Sequence, residues 1–301
     1  YNGGAAVFRA MGNSEVSMKV SLLMNAINVS GNAILIYGFH CGTEGVAIPT
    51  LVSRFVAAFI IIKLLLKDKW SLHLERTYRF NPDWSMIRKI LSVGIPNGLE
   101  NSMFQLGKVL VLSLVSTFGT YAIAANAVSN VITLFSILPG QAICLAVTTV
   151  IARCVGAGDY EQAKYYNKKL ILLTHIGMAI TIFIVFITLP FILKVYNLSE
   201  AASEATRHII WFHGFCAILI WAESFTLPAT FRACGDAKAC MIISTVSMWI
   251  FRVGASYILG KNLGLGVFGV WVAMIIDWAF RSLLFGIRYF SGKWKKHALV
   301  S

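Results

Sequence analysis

Long apolar runs broken by short polar segments recur through the whole chain, near residues 16–38, 45–66, 86–117, 122–150, 166–193, 205–230, 239–260 and 267–290. Each has roughly the 20 residues that an α-helix needs to cross about 30 Å of hydrocarbon. The pattern predicts eight membrane-spanning helices. The third run is long for one crossing, and its basic start at Arg88 and Lys89 fits the headgroup region. Pro96, Pro139 and Pro228 fall inside runs and predict bent or locally unwound helices.

The spacing of these runs carries a second pattern. Phe8-Arg9-Ala10-Met11-Gly12-Asn13 returns as Phe231-Arg232-Ala233-Cys234-Gly235-Asp236. Each copy precedes an apolar span, a Gly-rich turn and a second span, and the turns at Gly45-Val46-Ala47-Ile48 and Gly269-Val270-Trp271-Val272 also correspond. This is an internal duplication. An even number of spans separates the copies, so both units share one orientation, as parallel repeats do. The later unit has four spans before its motif and two after it. Counting back the same way predicts twelve spans and roughly 440 residues for the intact protein, with four spans missing from this chain.

The fold class expected is therefore all-α, a polytopic membrane bundle of two parallel six-helix repeats with the first truncated to two complete spans. Residues 1–66 read as the remnant of an N-terminal lobe and 67–85 as a linker, where Asn81-Pro82-Asp83 signals a turn and a helix start at Trp84 or Ser85. Residues 86–291 read as a C-terminal six-helix lobe and 292–301 as a basic tail.

Composition agrees: 57% hydrophobic residues, 13% charged and a mean hydropathy of +0.73 leave too much apolar surface for one soluble core. The net charge of +13 would suggest nucleic acid in a soluble domain, but here the basic residues sit between apolar runs. Eighteen of the 26 Lys and Arg fall on one side and three on the other. By the positive-inside rule the richer side is cytoplasmic, and both motif copies lie there. The six cysteines form no CxxC pair, which argues against a disulfide framework or a zinc site. Gly264-Leu265-Gly266-Val267-Phe268-Gly269 matches GxGxxG only formally, since it joins two membrane spans with no strand before it.

Several stretches together resemble the multidrug and toxic compound extrusion (MATE) family of bacterial secondary transporters. They are Gly94-Ile95-Pro96-Asn97-Gly98-Leu99, the run from Phe118 to Ala127, the segment from Val155 to Lys164, and the two Phe-Arg-Ala-x-Gly motifs. The resemblance covers essentially the whole chain. It implies a twelve-helix, multi-pass exporter of the bacterial inner membrane, monomeric and embedded in lipid. Such a protein expels small organic cations by alternating access in exchange for Na⁺ or H⁺, without a cofactor, a metal or nucleic acid.

Polar groups inside spans are costly, so each needs a reason. Asn97, Glu100, Asn101, Gln105 and Lys108 fall within roughly 140° of helical arc, a stripe suited to lining a cavity or to bonding between helices. Asn126 and Asn130 share a face of the next span, with the same two readings. Glu223 precedes Arg232 by about two turns and is a second candidate for binding a cation or proton. By span, Glu100 and Glu223 match the acids that the family's Na⁺-coupled branch uses. Arg252, Asp277 and Arg281 read as a structural ion pair between the last two spans. Arg9 and Arg232 read as ligands of helix-end carbonyls or lipid phosphate.

Two alternatives remain beside the exporter. A flippase for lipid-linked oligosaccharides, from the same superfamily, would show a cavity rich in Arg and Lys. Here Lys108 and Arg252 stand against two acids, which favours cationic cargo. A membrane-embedded enzyme using Glu223 with His208 or His213 lacks a nucleophile, a metal cluster and a catalytic loop.

Overall fold

The structure, a computed structural model, describes residues 1–74 and 82–297. Asn81, Arg76 and Arg79 of the expected linker, and the last four residues of the expected tail, lie outside the described residues. The chain forms two compact units, Tyr1–Pro82 and Asp83–Ser301.

The first unit contains α1 (Asn2–Ala10), α2 (Ser14–Gly38) and α3 (Glu44–Leu65). Phe8, Val20, Ala57, Ile61 and Leu65 form its core. Leu22, Val29, Leu51 and Phe55 point outward, as residues in contact with acyl chains do. The second unit contains α4 (Trp84–Ser116), α5 (Thr120–Gly156), α6 (Tyr160–Tyr196), α7 (Glu200–Ala233), α8 (Ala237–Asn262) and α9 (Gly266–Phe290). Within it α5 packs on α6 and α7, α7 on α9, and α4 on α8.

Local chemistry sets the helix boundaries. Asp83 accepts from the backbone N–H groups of Ser85 and Met86 at 2.9 and 3.1 Å, so α4 starts at Trp84, where the turn signal predicts it. Asp159 caps α6 through Gln162 N–H at 2.9 Å, and Ser199 caps α7. Among the described residues, seven helices are long and apolar enough to cross a membrane, and they match seven of the eight predicted spans. The eighth is α4, which has 33 residues but is diluted by Arg88, Lys89, Glu100 and Lys108.

The repeated motif proves to be one hydrogen-bonded turn. After α1 and α7 the N–H of Asn13 or Asp236 reaches back five residues to the carbonyl of Phe8 or Phe231, each at 2.9 Å. Gly12 and Gly235 adopt φ of +82° and +86°. This left-handed step closes a Schellman cap and favours glycine. The same turn ends α5, where Asp159 N–H meets the Cys154 carbonyl at 2.9 Å and Gly158 has φ +74°. Phe8 and Phe231 are fully buried in their respective units. The duplication extends to helical pitch: α2 widens into a π-helical turn at Ile34–Gly38, and α8 does so at the corresponding place, Tyr257–Asn262. Only α8 has a second wide segment, Met248–Gly254, centred near Arg252.

Of the bent or locally unwound helices expected at the prolines, the unwound alternative is not seen: the helices run on through Pro96, Pro139 and Pro228. At Pro228 the reason is visible. Proline cannot donate to the carbonyl four residues earlier, Ser224, and Arg281 on α9 donates to it instead at 3.2 Å. All six cysteines are free, and burial, helped by Asp236, pushes the Cys234 thiol up to about 12.

Gly269 sits where α9 crosses the end of α8. A Cβ there would lie 2.8 Å from the Leu259 carbonyl carbon and oxygen and 2.9 Å from Gly260 N, all backbone atoms. Gly269→Ala should lower stability by about 1–3 kcal/mol. Gly286→Ala, with nothing within 4 Å, should raise it by about 0.5–1 kcal/mol. Thermal unfolding of the detergent-purified protein ranks the two; the reverse order would refute the close approach.

Candidate functional site

The polar stripe of α4 faces a hollow in the second unit. Asn97, Glu100, Asn101, Gln105 and Lys108 all line it, together with Asn126 and Asn130 from α5. The main cavity has a volume of about 860 Å³, and recesses of about 410 and 210 Å³ adjoin it. Lys108 lines all three. Trp221 and Phe225 of α7 and Trp271 and Trp278 of α9 supply an aromatic wall. Asn126 Oδ1 accepts from Trp271 Nε1 at 3.1 Å and so fixes that ring. Asn101 and Asn130 donate back to the carbonyls of Asn97 and Asn126 at 2.8 and 2.7 Å, within their own helices.

Glu100 is only 4% exposed, and both its oxygens accept from Nη2 of Arg232 at 2.7 Å. The motif arginine is therefore a partner for this carboxylate, not a ligand of helix-end carbonyls or lipid as its position suggested. In the other copy Arg9 donates to Ser17 Oγ at 3.2 Å.

Glu223 does not line the cavity. On α7 the cavity residues Trp221, Phe225, Ala229 and Arg232 occupy one face, and Glu223 lies roughly half a turn away from it. It meets His175 of α6, whose Nε2 is 2.9 Å from Glu223 Oε1. His175 Nδ1 is 2.7 Å from the Ile218 carbonyl, which can only accept, so Nδ1 carries a hydrogen. The Nε2–Oε1 contact then also requires a hydrogen, on the ring or on the carboxyl. The pair thus holds one shared proton, while Glu223 Oε2 is buried without a hydrogen-bond partner.

The expected ion pair of Arg252, Asp277 and Arg281 takes a different form. Among the described residues no ion pair joins Asp277 to either arginine. Asp277 accepts from Ser247 Oγ at 2.5 Å. Arg252 donates to Met274 Sδ at 3.1 Å, and Arg281 to the carbonyl that Pro228 leaves free. The Arg281 guanidinium also lies 4.6 Å from the Phe225 ring centre and 5.1 Å from that of Phe104. Sulfur, backbone and aromatic partners, which residue spacing does not reveal, take the direct contacts, and Asp277 acts on the two arginines through charge alone. No group of three or more His, Cys, Asp or Glu among the described residues could hold a metal ion.

A bundle of membrane-length helices around an aromatic-walled hollow with polar groups is the architecture of a multi-pass membrane protein. The chain belongs to the MatE family, whose model matches residues 96–258. It is 27% identical to a probable multidrug resistance protein NorM of Thermotoga maritima, over 99% of this chain and 64% of that protein. It is 25% identical to the probable multidrug resistance protein YoeA of Bacillus subtilis, over 97% and 64%. The chain thus spans just under two thirds of the length of these relatives. Two solved structures share the fold. One is an outward-facing multidrug resistance MATE family transporter of the MOP superfamily, with TM-score 0.88 and 20% identity over 97% of this chain and 66% of that one. The other is a MOP superfamily transporter from Pyrococcus furiosus, reported to have a binding pocket of reverse polarity, with TM-score 0.86 and 21% identity over 96% and 65%. The bacterial relatives and the membrane-length helices place the chain as a multi-pass protein of the inner membrane, and these relatives are transporters rather than enzymes.

Removing one partner of a buried ion pair strands the other charge. Arg232→Gln should destabilise the protein by about 3 kcal/mol, and adding Glu100→Gln should restore most of the loss. Thermal unfolding of the two single variants and the double variant checks this; equal, additive losses would refute the pairing.

Proposed function

We propose that the whole protein is a secondary active exporter of small organic compounds, working by alternating access and driven by inward movement of a cation. The observation that carries this reading is the aromatic-walled, mainly apolar cavity with a few polar and cationic side chains, in a chain whose relatives are named as multidrug resistance proteins. Its volume of about 860 Å³ suits a drug-sized molecule. The relatives do not favour the oligosaccharide flippase.

For the coupling ion, the chemistry of the two acids favours H⁺ over Na⁺. Both oxygens of Glu100 are engaged by an arginine, which repels a metal cation. Glu223 and His175 already hold one exchangeable proton between them. Loading and unloading such a pair as water gains and loses access would couple proton flow to a change of state.

The test is export of a fluorescent substrate into everted vesicles from cells expressing the full-length protein, under an imposed proton or Na⁺ gradient. Proton-driven export is expected, reduced at least about tenfold by Glu223→Gln or His175→Asn. Full activity in both variants would remove the coupling assignment, and export indifferent to either gradient would remove the exporter reading.

A further inference from the structure

We propose that the cavity of residues 83–301 is a site for organic anions: molecules with an aromatic or apolar body and one carboxylate, sulfonate or phosphate group. The inference deepens the exporter reading by naming its cargo, and it reverses the cationic cargo that the sequence alone suggests.

The argument begins with the charge that faces the hollow. Lys108, Arg232, Arg252 and Arg281 line it, and Glu100 is the only carboxylate among the lining residues. Glu100 is neutralised by Arg232. Asp277 accepts from Ser247 and its buried charge acts on Arg252 and Arg281 without a direct ion pair, so two carboxylates answer the four cations, and Glu223 lies on the far side of α7 beside His175. The three remaining cations have no carboxylate within ion-pair distance among the described residues.

Their hydrogens are equally short of acceptors. Lys108 has neither an ion pair nor a cation–π partner among the described residues. Arg252 has only the thioether of Met274, a weak acceptor. Arg281 is 2% exposed, and its Nε and Nη1 are buried with no partner, as is Nε of Arg232. Charge left unanswered at membrane depth is costly; an anion in the hollow supplies countercharge to the whole group and acceptors to the accessible Lys108 and Arg252.

Aromatic walls alone would also suit an organic cation, through the faces of the rings. Here Phe225 and Phe104 already carry the Arg281 guanidinium, and a cationic ligand stacked on the other rings would sit beside that guanidinium, Arg252 and Lys108. The rings that remain, Trp221, Trp271 and Trp278, offer an apolar bed beside the cationic groups.

The test uses three ligands with one skeleton: 4-phenylbutyrate, its methyl ester and 4-phenylbutylamine, titrated by calorimetry into the purified 301-residue chain in a non-ionic detergent. The acid should bind at least about tenfold more tightly than the ester, and the amine most weakly. Lys108→Gln, at an exposed position that leaves the core untouched, should cost the acid about tenfold and leave the ester unchanged, as should Arg252→Gln. Arg252→Lys should retain the preference for the acid. Tightest binding of the amine, or equal binding of acid and ester, would overturn the inference. So would loss of acid binding on adding phosphatidylglycerol but not phosphatidylcholine, which would give the site to a lipid headgroup. The outcomes separate from those for export. Gradient-independent vesicles with intact anion preference would remove only the exporter reading, and gradient-driven export of organic cations without that preference would remove only this one.

Discussion

Hydrocarbon offers no hydrogen bond to a backbone group that has lost its partner, and Pro228 creates such a group at Ser224 in the middle of α7. The remedy is a side chain from another helix: Arg281 donates to the Ser224 carbonyl and lays its guanidinium against Phe225 and Phe104. That one contact ties α9 to α7 and α4. It also commits an arginine to the lining of the hollow, while Asp277 accepts from Ser247. The electrostatics of the hollow therefore follow from a backbone requirement.

The fold was largely legible in the chain. Length and hydropathy of the apolar runs located the helices, since nothing but a helix satisfies its own backbone over such a run in a membrane. The Phe-Arg-Ala-x-Gly repeat was legible because a Schellman turn needs glycine at one position and an apolar anchor at another, and those needs survive sequence drift. The π-helical turns shared by α2 and α8 left no such mark. A wide turn arises from tertiary packing, and Ile34–Gly38 carries no residue pattern that marks a π-helical turn apart from an α-helical end.

The site was legible only where a single helix carried it. The stripe on α4 and the face of Asn126 and Asn130 on α5 are properties of one helix each, and helical arithmetic places them together. The partners of charged groups come from other helices, and spacing does not reach them. Arg232 found Glu100, 132 residues away, and His175 found Glu223 across 48. The orientation of Glu223 was within reach all the same. Trp221, Phe225, Ala229 and Arg232 share one face of α7, and Glu223 falls opposite. Large aromatics in a membrane helix are as easily lipid-facing as cavity-facing, so that face was not distinguishable from the sequence as the inner one.

The excess of cations over carboxylates in and around the hollow has an electrical consequence. A unit charge that moves through a transmembrane potential exchanges about 2.3 kcal/mol per 100 mV. In an alternating-access cycle, an empty cavity carrying this charge is drawn by an inside-negative potential toward the cytoplasm-facing state, the one from which an exporter loads. An anion that fills the cavity offsets part of that charge and weakens the bias, easing the turn of the loaded protein outward. The resting voltage of the cell would then act as a return spring for the empty carrier.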